Sequence, residues 1–467
     1  MAELFATKSV DTFHADMKAA GSLKRALGAF DLVMLGIGCI IGTGIFVLTG
    51  VAAVQHSGPA VSASYALAGA ICILAALCYS EFATMIPIAG SAYSYAYATL
   101  GELVAWIIGW DLVLEYALAA SAVAVGWSGY VVNLLAGFGL KLPALIAGSP
   151  GVVDGAVFNL PAALILLAIT WLLVVGIRES ATTNAVIVSI KLFVVFFVIG
   201  VGSFYVTPEN WHPFMPFGFK GVVAGAATVF FAYIGFDAVT TAAEEARNPE
   251  RDMTIGIIGS LLGCTVLYLA VAAVLTGMVP LGQIDISAPV AKAFSAHGLH
   301  FAAGVISAGA VAGLTSVLLV LLLGQSRVFF AMSRDGLLPP VFSAVHARYG
   351  TPHLSTMLVG GIVAVIAGFV PLGELAELAN IGTLFAFVVV SIGVVVLRRT
   401  DPNRRRPFRT PLVPLLPIAS VLGCLYLMSA LPRLTWIRFV IWLAIGLVVY
   451  FLYGVRHSRV QRAARGE

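Results

Sequence analysis

Gly36-Ile37-Gly38-Cys39-Ile40-Ile41-Gly42-Thr43-Gly44-Ile45-Phe46 is the stretch on which the fold turns. Four of its eleven residues are glycine, and each costs about 1 kcal/mol of helix propensity relative to alanine. The segment sits inside an apolar run at 30–54 that is long enough to cross a bilayer. A helix interrupted there leaves amides and carbonyls without partners. At membrane depth such groups must be buried in protein or line a cavity. The start of the following half-helix, near Thr43 and Gly44, offers donors and a positive dipole to a carboxylate. The end of the preceding half, near Ile40, offers carbonyls to an ammonium group. Close helix packing through the Gly38-xxx-Gly42 pair is the alternative. No strand precedes the glycines, so they form no dinucleotide fingerprint.

The rest of the 467 residues agrees with a membrane setting. Only 10% are charged and 60% are apolar, with 48 glycines besides. Soluble domains carry about 25% charge. This excludes a soluble enzyme, a disordered chain and a nucleic-acid binder. The five cysteines (39, 72, 78, 264, 424) all fall in apolar runs and read as small buried residues, not as a disulfide or metal framework. No cleavable leader is visible.

Twelve apolar runs are candidate spans: 30–54, 60–84, 101–130, 160–177, 184–206, 219–243, 253–277, 301–330, 355–371, 377–397, 411–431 and 435–455. With a cytoplasmic N-terminus, 20 of the 26 Lys and Arg fall on the inner side, five outside, and Lys191 within a span. That bias predicts cytoplasmic termini. The cluster Arg404, Arg405, Arg406 and Arg409 reads as a topology determinant, or as a site for anionic lipid.

The second half of the chain repeats the opening feature. Phe230-Phe231-Ala232-Tyr233-Ile234-Gly235-Phe236-Asp237 is an aromatic-rich stretch of span 6 broken by Gly235. Interrupted spans at corresponding places in two halves point to an inverted-repeat transporter.

Four motifs carry a family resemblance: Gly36 to Phe46; Glu81…Pro87 with Gly90-Ser91-Ala92-Tyr93-Ser94-Tyr95; Glu244 to Asp252; and Ser333-Arg334-Asp335-Gly336-Leu337-Leu338-Pro339. The chain resembles the amino acid–polyamine–organocation permeases, specifically the cationic amino acid transporter subfamily and its bacterial relatives. Thr254 stands where that family often has proline. The resemblance implies an all-α integral membrane protein with a LeuT-like fold. Spans 1–5 (28–210) and 6–10 (211–398) would form 5+5 inverted repeats with spans 1 and 6 discontinuous. Spans 11–12 (399–456) would be appended, with a cytoplasmic arm at 1–27 and tail at 457–467. It implies L-amino-acid transport by alternating access at the cell inner (plasma) membrane. The implied substrate site is Ile40, Ile41, Thr43 and Gly44 with Phe231, Ala232 and Ile234. Thr43 and the Gly44 amide would hold the carboxylate, and the Ile40, Phe231 and Ile234 carbonyls the ammonium. Phe231 would also serve as a gate. Phe230, Tyr233 and Phe236 read as packing.

Ionisable groups at bilayer depth cost roughly 2.5–3.5 kcal/mol on insertion scales and are functional candidates by default. Lys191 lies eight residues into span 5, about 12 Å deep. It either snorkels to the interface or docks on the unwound backbone of span 1. There it would stand where sodium-coupled relatives hold a cation, and an amine so buried can shed a proton. The resemblance supports proton coupling, so uptake is expected to be sodium-independent. Asp111 and Glu115 share one face of span 3. Glu115 and Asp237 could pair with Lys191 or face a cationic substrate. Asp111 reads as a partner for a nearby indole or hydroxyl, and Asp31 as a cap or gate. Glu81 and Glu102 read as interfacial, and Tyr93, Tyr95 and Tyr97 as a gating hairpin or interfacial anchors. Bulky Leu318-Leu319-Val320-Leu321-Leu322 would shorten the pocket and favour small or neutral side chains. A channel filter, a nucleophile or metal constellation, and a Walker motif are all missing from the sequence. No cofactor is implied and no protein partner is legible.

Overall fold

The computed structural model describes residues 2–8, 27–86, 91–176, 181–346 and 348–465. Most of the arm at 1–27, and Pro87 and Gly90 of the second motif, lie outside them. Among the described residues seven helices are long and apolar enough to cross a membrane, accompanied by five shorter apolar ones. No named strand occurs among these residues. A single parallel bridge joins Leu27 and Ala246.

The principal helices are α1 (Ala29–Ile40), α2 (Val61–Met85), α3 (Glu102–Gly137), α4 (Leu160–Val175), α5 (Ala181–Gly202), α6 (Gly218–Val229), α7 (Pro249–Met278), α8 (His300–Arg334), α9 (His353–Phe369), α10 (Leu372–Thr400), α11 (Leu415–Ser429) and α12 (Arg433–Val449). α3 packs on α8 and α10, and α7 on α1 and α2. Asp31 caps α1 by accepting from the Gly28 amide at 2.8 Å, as its position predicts.

α1 stops at Ile40, and helical structure resumes at Gly44 and runs to Ser57. α6 gives way to a tight turn at Phe230–Tyr233, and helix resumes at Ala238–Thr241. Gly235 has φ +112°, a conformation that only glycine adopts readily. The two breaks face each other. A Cβ on Gly44 would lie 2.2 Å from that of Ala232, and one on Gly235 would lie 3.1 Å from the Cys39 carbonyl oxygen. Glycine is therefore required at Gly44 by a close approach of two backbones.

Backbone groups freed in hydrocarbon cost several kcal/mol each. Tyrosines answer that demand here. The Tyr65 hydroxyl donates to the Gly44 carbonyl at 2.8 Å, and Tyr130 to that of Phe46 at 2.7 Å. The Tyr268 hydroxyl lies 2.8 Å from the carbonyls of both Ile40 and Ala232, bridging the breaks. Tyr233 donates to the Tyr65 carbonyl at 2.9 Å, and Phe230 stacks edge-on against Phe387, so both are packing residues as expected.

Two acidic residues expected at the interface are buried within the protein. Glu81 takes two bonds from Arg398, at 2.9 and 2.8 Å, one from Arg406 at 3.1 Å and one from the Thr410 amide at 2.8 Å. Arg406 is thus a buried partner of α2, not a loop charge facing lipid. Glu102 accepts from Tyr97, Tyr450, Gln461 and Ser458. Tyr93, Tyr95 and Tyr97 are also buried. They anchor protein, with Tyr93 donating to Asp335 at 2.7 Å. All five cysteines are buried, and none is in a disulfide.

Candidate functional site

Thr43 occupies the gap in span 1. It is 1% exposed, yet its Oγ1 has no hydrogen-bond partner. It faces Gly126 of α3, where an added Cβ would lie 3.1 Å from that oxygen. Buried hydroxyls almost always find partners. An orphaned one at a helix start, beside amides that lack intrahelical acceptors, has the form of half an anion site.

Two clefts approach this point from opposite ends. One is lined by Cys39, Glu115, Tyr116, Ile234, Asp237 and Arg327, among others. The second is roomier and reaches Val47, Gly126, Ser128, Glu374 and Glu377. Ile40, Ile41, Thr43, Gly44, Phe231 and Ala232 line neither. They form the partition between the clefts. Ile234, Glu115 and Asp237 open onto the first. The Ile40 carbonyl is already met by Tyr268 and the Phe231 carbonyl by the Ile234 amide at 3.2 Å. A carbonyl keeps a second lone pair, so each still has acceptor capacity.

Lys191 is 0% exposed, and its Nζ donates to the Gly38 carbonyl at 2.5 Å. It docks on the backbone of α1 just before the break, with its stem against Gly313 of α8. The snorkelling alternative is overturned. Glu115 is 3% and Asp237 5% exposed, and both face the first cleft. Ser91 Oγ donates to Asp237 at 3.4 Å. One Glu115 oxygen has no partner, nor has either oxygen of Asp111, which lies against Gly382. The expectation of an indole or hydroxyl for Asp111 therefore fails. The wall expected from Leu318–Leu322 is supplied by Val317, Val320 and Leu321. Arg327, on the same wall, was counted in the sequence only as an inner-side charge. Its place seven residues before the end of α8 was the available signal.

Paired broken helices, a buried lysine beside the first break and clefts on both sides of a thin partition are the arrangement of a multi-pass membrane transport protein. The family model described as "Amino acid permease" matches residues 27–458, and the chain belongs to that family, within the amino acid–polyamine–organocation superfamily. It is 54% identical over 462 residues to the methylthioribose transporter of Bacillus subtilis (strain 168), covering 99% of this chain and 100% of the relative. It is 51% identical over 462 residues to the branched-chain amino acid permease BcaP of the same strain, covering 98% and 99%. Cationic amino acid transporter 4, vacuolar, of Arabidopsis thaliana is 41% identical over 413 residues, covering 86% and 68%.

Proposed function

We propose that this protein is a secondary active transporter that takes up neutral aliphatic L-amino acids with protons, independently of sodium, by alternating access. The observation that carries the reading is the buried, unpartnered Thr43 hydroxyl at facing helix breaks between two clefts. In this reading the twelve helices span the inner (plasma) membrane with both termini cytoplasmic. Residues 28–210 and 211–398 are LeuT-like inverted repeats, 399–456 are the appended pair, and 1–27 and 457–467 are cytoplasmic.

Thr43 and the Gly44 amide take the carboxylate. The carbonyls of Ile40, Phe231 and Ile234 take the ammonium, with Ile41 and Ala232 shaping the site. Phe231 gates it, and Glu115 stands at its cleft side. Lys191 carries the coupling proton against Gly38, with Glu115 and Asp237 as acidic stations on the way to the cleft. The apolar wall of Val317, Val320 and Leu321, and the name of the branched-chain relative, favour an uncharged side chain. The name of the 54%-identical relative supports a second reading, in which an uncharged sugar thioether occupies the same apolar wall.

Purified protein reconstituted into sodium-free proteoliposomes tests the proposal. Uptake of L-leucine or L-alanine should rise under an inward proton gradient. A thermal-shift screen of the twenty amino acids and methylthioribose should rank neutral aliphatics first. Stabilisation by methylthioribose alone would establish the second reading. Best stabilisation by Arg and Lys would sink the short apolar pocket. Transport only against an internal amino acid would make it an exchanger, and saturable uptake indifferent to pH a uniporter.

A further inference from the structure

One wall of the first cleft is a single helical face of α8. Val317, Val320, Gly324, Arg327 and Ala331 all line it, at steps of three and four residues, the period of one helix face. Four of the five are apolar, and the remaining one is a guanidinium. Arg327 lies seven residues beyond Val320, about 10 Å further along the helix. It is exposed to the cleft. Among the described residues the structure shows no hydrogen bond to its side chain, whereas Arg398 and Arg406 are committed to Glu81 and Arg438 to Glu374. Tyr116 lines the same cleft as Arg327, Glu115 and Asp237.

The cleft therefore has two faces of opposite sign and an apolar floor. Asp237 and Glu115, whose second oxygen has no partner, stand at the deep end beside Ile234. Arg327 stands nearer the mouth. An α-amino acid carries its ammonium and carboxylate on one carbon, so seated between these walls it can turn the ammonium to the acids, the carboxylate to Arg327 and the side chain to the apolar floor.

Resting on the transporter reading above, we propose that Arg327 holds the carboxylate of a zwitterionic amino acid at a second, weaker station in the inner cleft, with Asp237 and Glu115 receiving its ammonium group. Substrate released from Thr43 and Gly44 would move along the cleft toward Arg327 and be caught there before it leaves. The station would serve as the first contact for amino acid entering from the inner side. Its charge contacts are partly solvated, so they contribute a few-fold in affinity and not orders of magnitude. A fast-emptying step requires that weakness.

Inside-out and right-side-out vesicles carrying wild type, Arg327→Gln and Arg327→Lys test the proposal with labelled L-leucine. Arg327→Gln should raise the half-saturating concentration at the inner face about three- to tenfold and leave the outer-face value unchanged. Arg327→Lys should restore most of it. Leucinamide, which lacks the carboxylate, should compete at the inner face equally in wild type and Arg327→Gln. The arginine makes no hydrogen bond, so the thermal midpoint should not fall, and a midpoint unchanged in all three proteins excludes misfolding as the cause. An unshifted inner-face constant, or an equal shift at both faces, overturns the station. Wild-type vesicles that move no amino acid in either direction overturn the transporter reading and the station with it.

Discussion

Thr43→Val should weaken substrate binding and strengthen the empty protein at the same time. The two side chains have nearly the same shape. In the empty protein the hydroxyl is buried without a partner, so replacing it by a methyl removes a desolvation cost and forfeits no bond. A stability gain of up to about 1 kcal/mol is expected. In the loaded protein the same hydroxyl donates to a carboxylate, a contact worth about 1.5–3 kcal/mol. Losing it raises the dissociation constant roughly tenfold to a hundredfold. The lower end is expected, because the Gly44 amide remains. The assay is thermal unfolding of purified protein with and without L-leucine, paired with L-leucine uptake. The two midpoints should move in opposite directions relative to wild type. A purely packing role for Thr43 would lower both. Affinity within twofold of wild type, or a fallen ligand-free midpoint, refutes the reasoning. Gly44→Val is a poorer probe, because an added Cβ there would meet Ala232 at 2.2 Å and damage the fold directly.

Lys191→Met keeps most of the stem that packs against Gly313 but removes the bond to Gly38. Uptake in it should no longer respond to an imposed proton gradient, and a response equal to wild type would remove Lys191 from coupling. Glu81→Ala leaves the guanidinium of Arg406, which is 3% exposed, without its buried partner. A loss of about 3–5 kcal/mol, read as a depressed thermal midpoint, is expected. In the 280–288 loop, burial pushes the Asp285 carboxyl up, but the Lys292 ammonium, Ser287 and the Ala288 amide outweigh it and hold it below the ordinary carboxylate value. A group depressed in the folded state stabilises above its unfolded value and loses that contribution as pH falls through the folded one. Asp285→Asn should therefore lower the midpoint slightly at neutral pH and not at strongly acidic pH, as seen in paired melts across that range.

The break in span 1 was readable because four glycines crowd eleven residues, and Lys191 because an ammonium in an apolar run must find an acceptor close by. The tyrosine caps were not. Tyr65, Tyr130 and Tyr268 fall in apolar runs where an aromatic ring reads as packing, and only the hydroxyl's need for a partner hints at more. The partners of Glu81 and Glu102 were out of reach for another reason. Their partners, Arg398 and Arg406 for the first and Tyr450 and Gln461 for the second, lie more than 300 residues away in sequence. Local composition places such carboxylates at a surface, and only the folded topology brings their donors to them. Arg327 carried the opposite error. Counting charges by side of the membrane put it among the inner-side positives and lost sight of the wall it stands on.

Cys39 lines one cleft and Val47 the other. Only eight residues of span 1, part of them unwound, separate the two. Where both clefts fill with water, the membrane voltage falls almost entirely across that thin layer instead of across the full bilayer. A proton or an ion crossing only the partition would then collect nearly the whole electrical work, about 2.3 kcal/mol per charge at 100 mV. Thr43 sits in the middle of that layer, with Lys191 at its edge. Small displacements of these groups would be electrically large, and transport currents should report motions of a few ångströms at the partition.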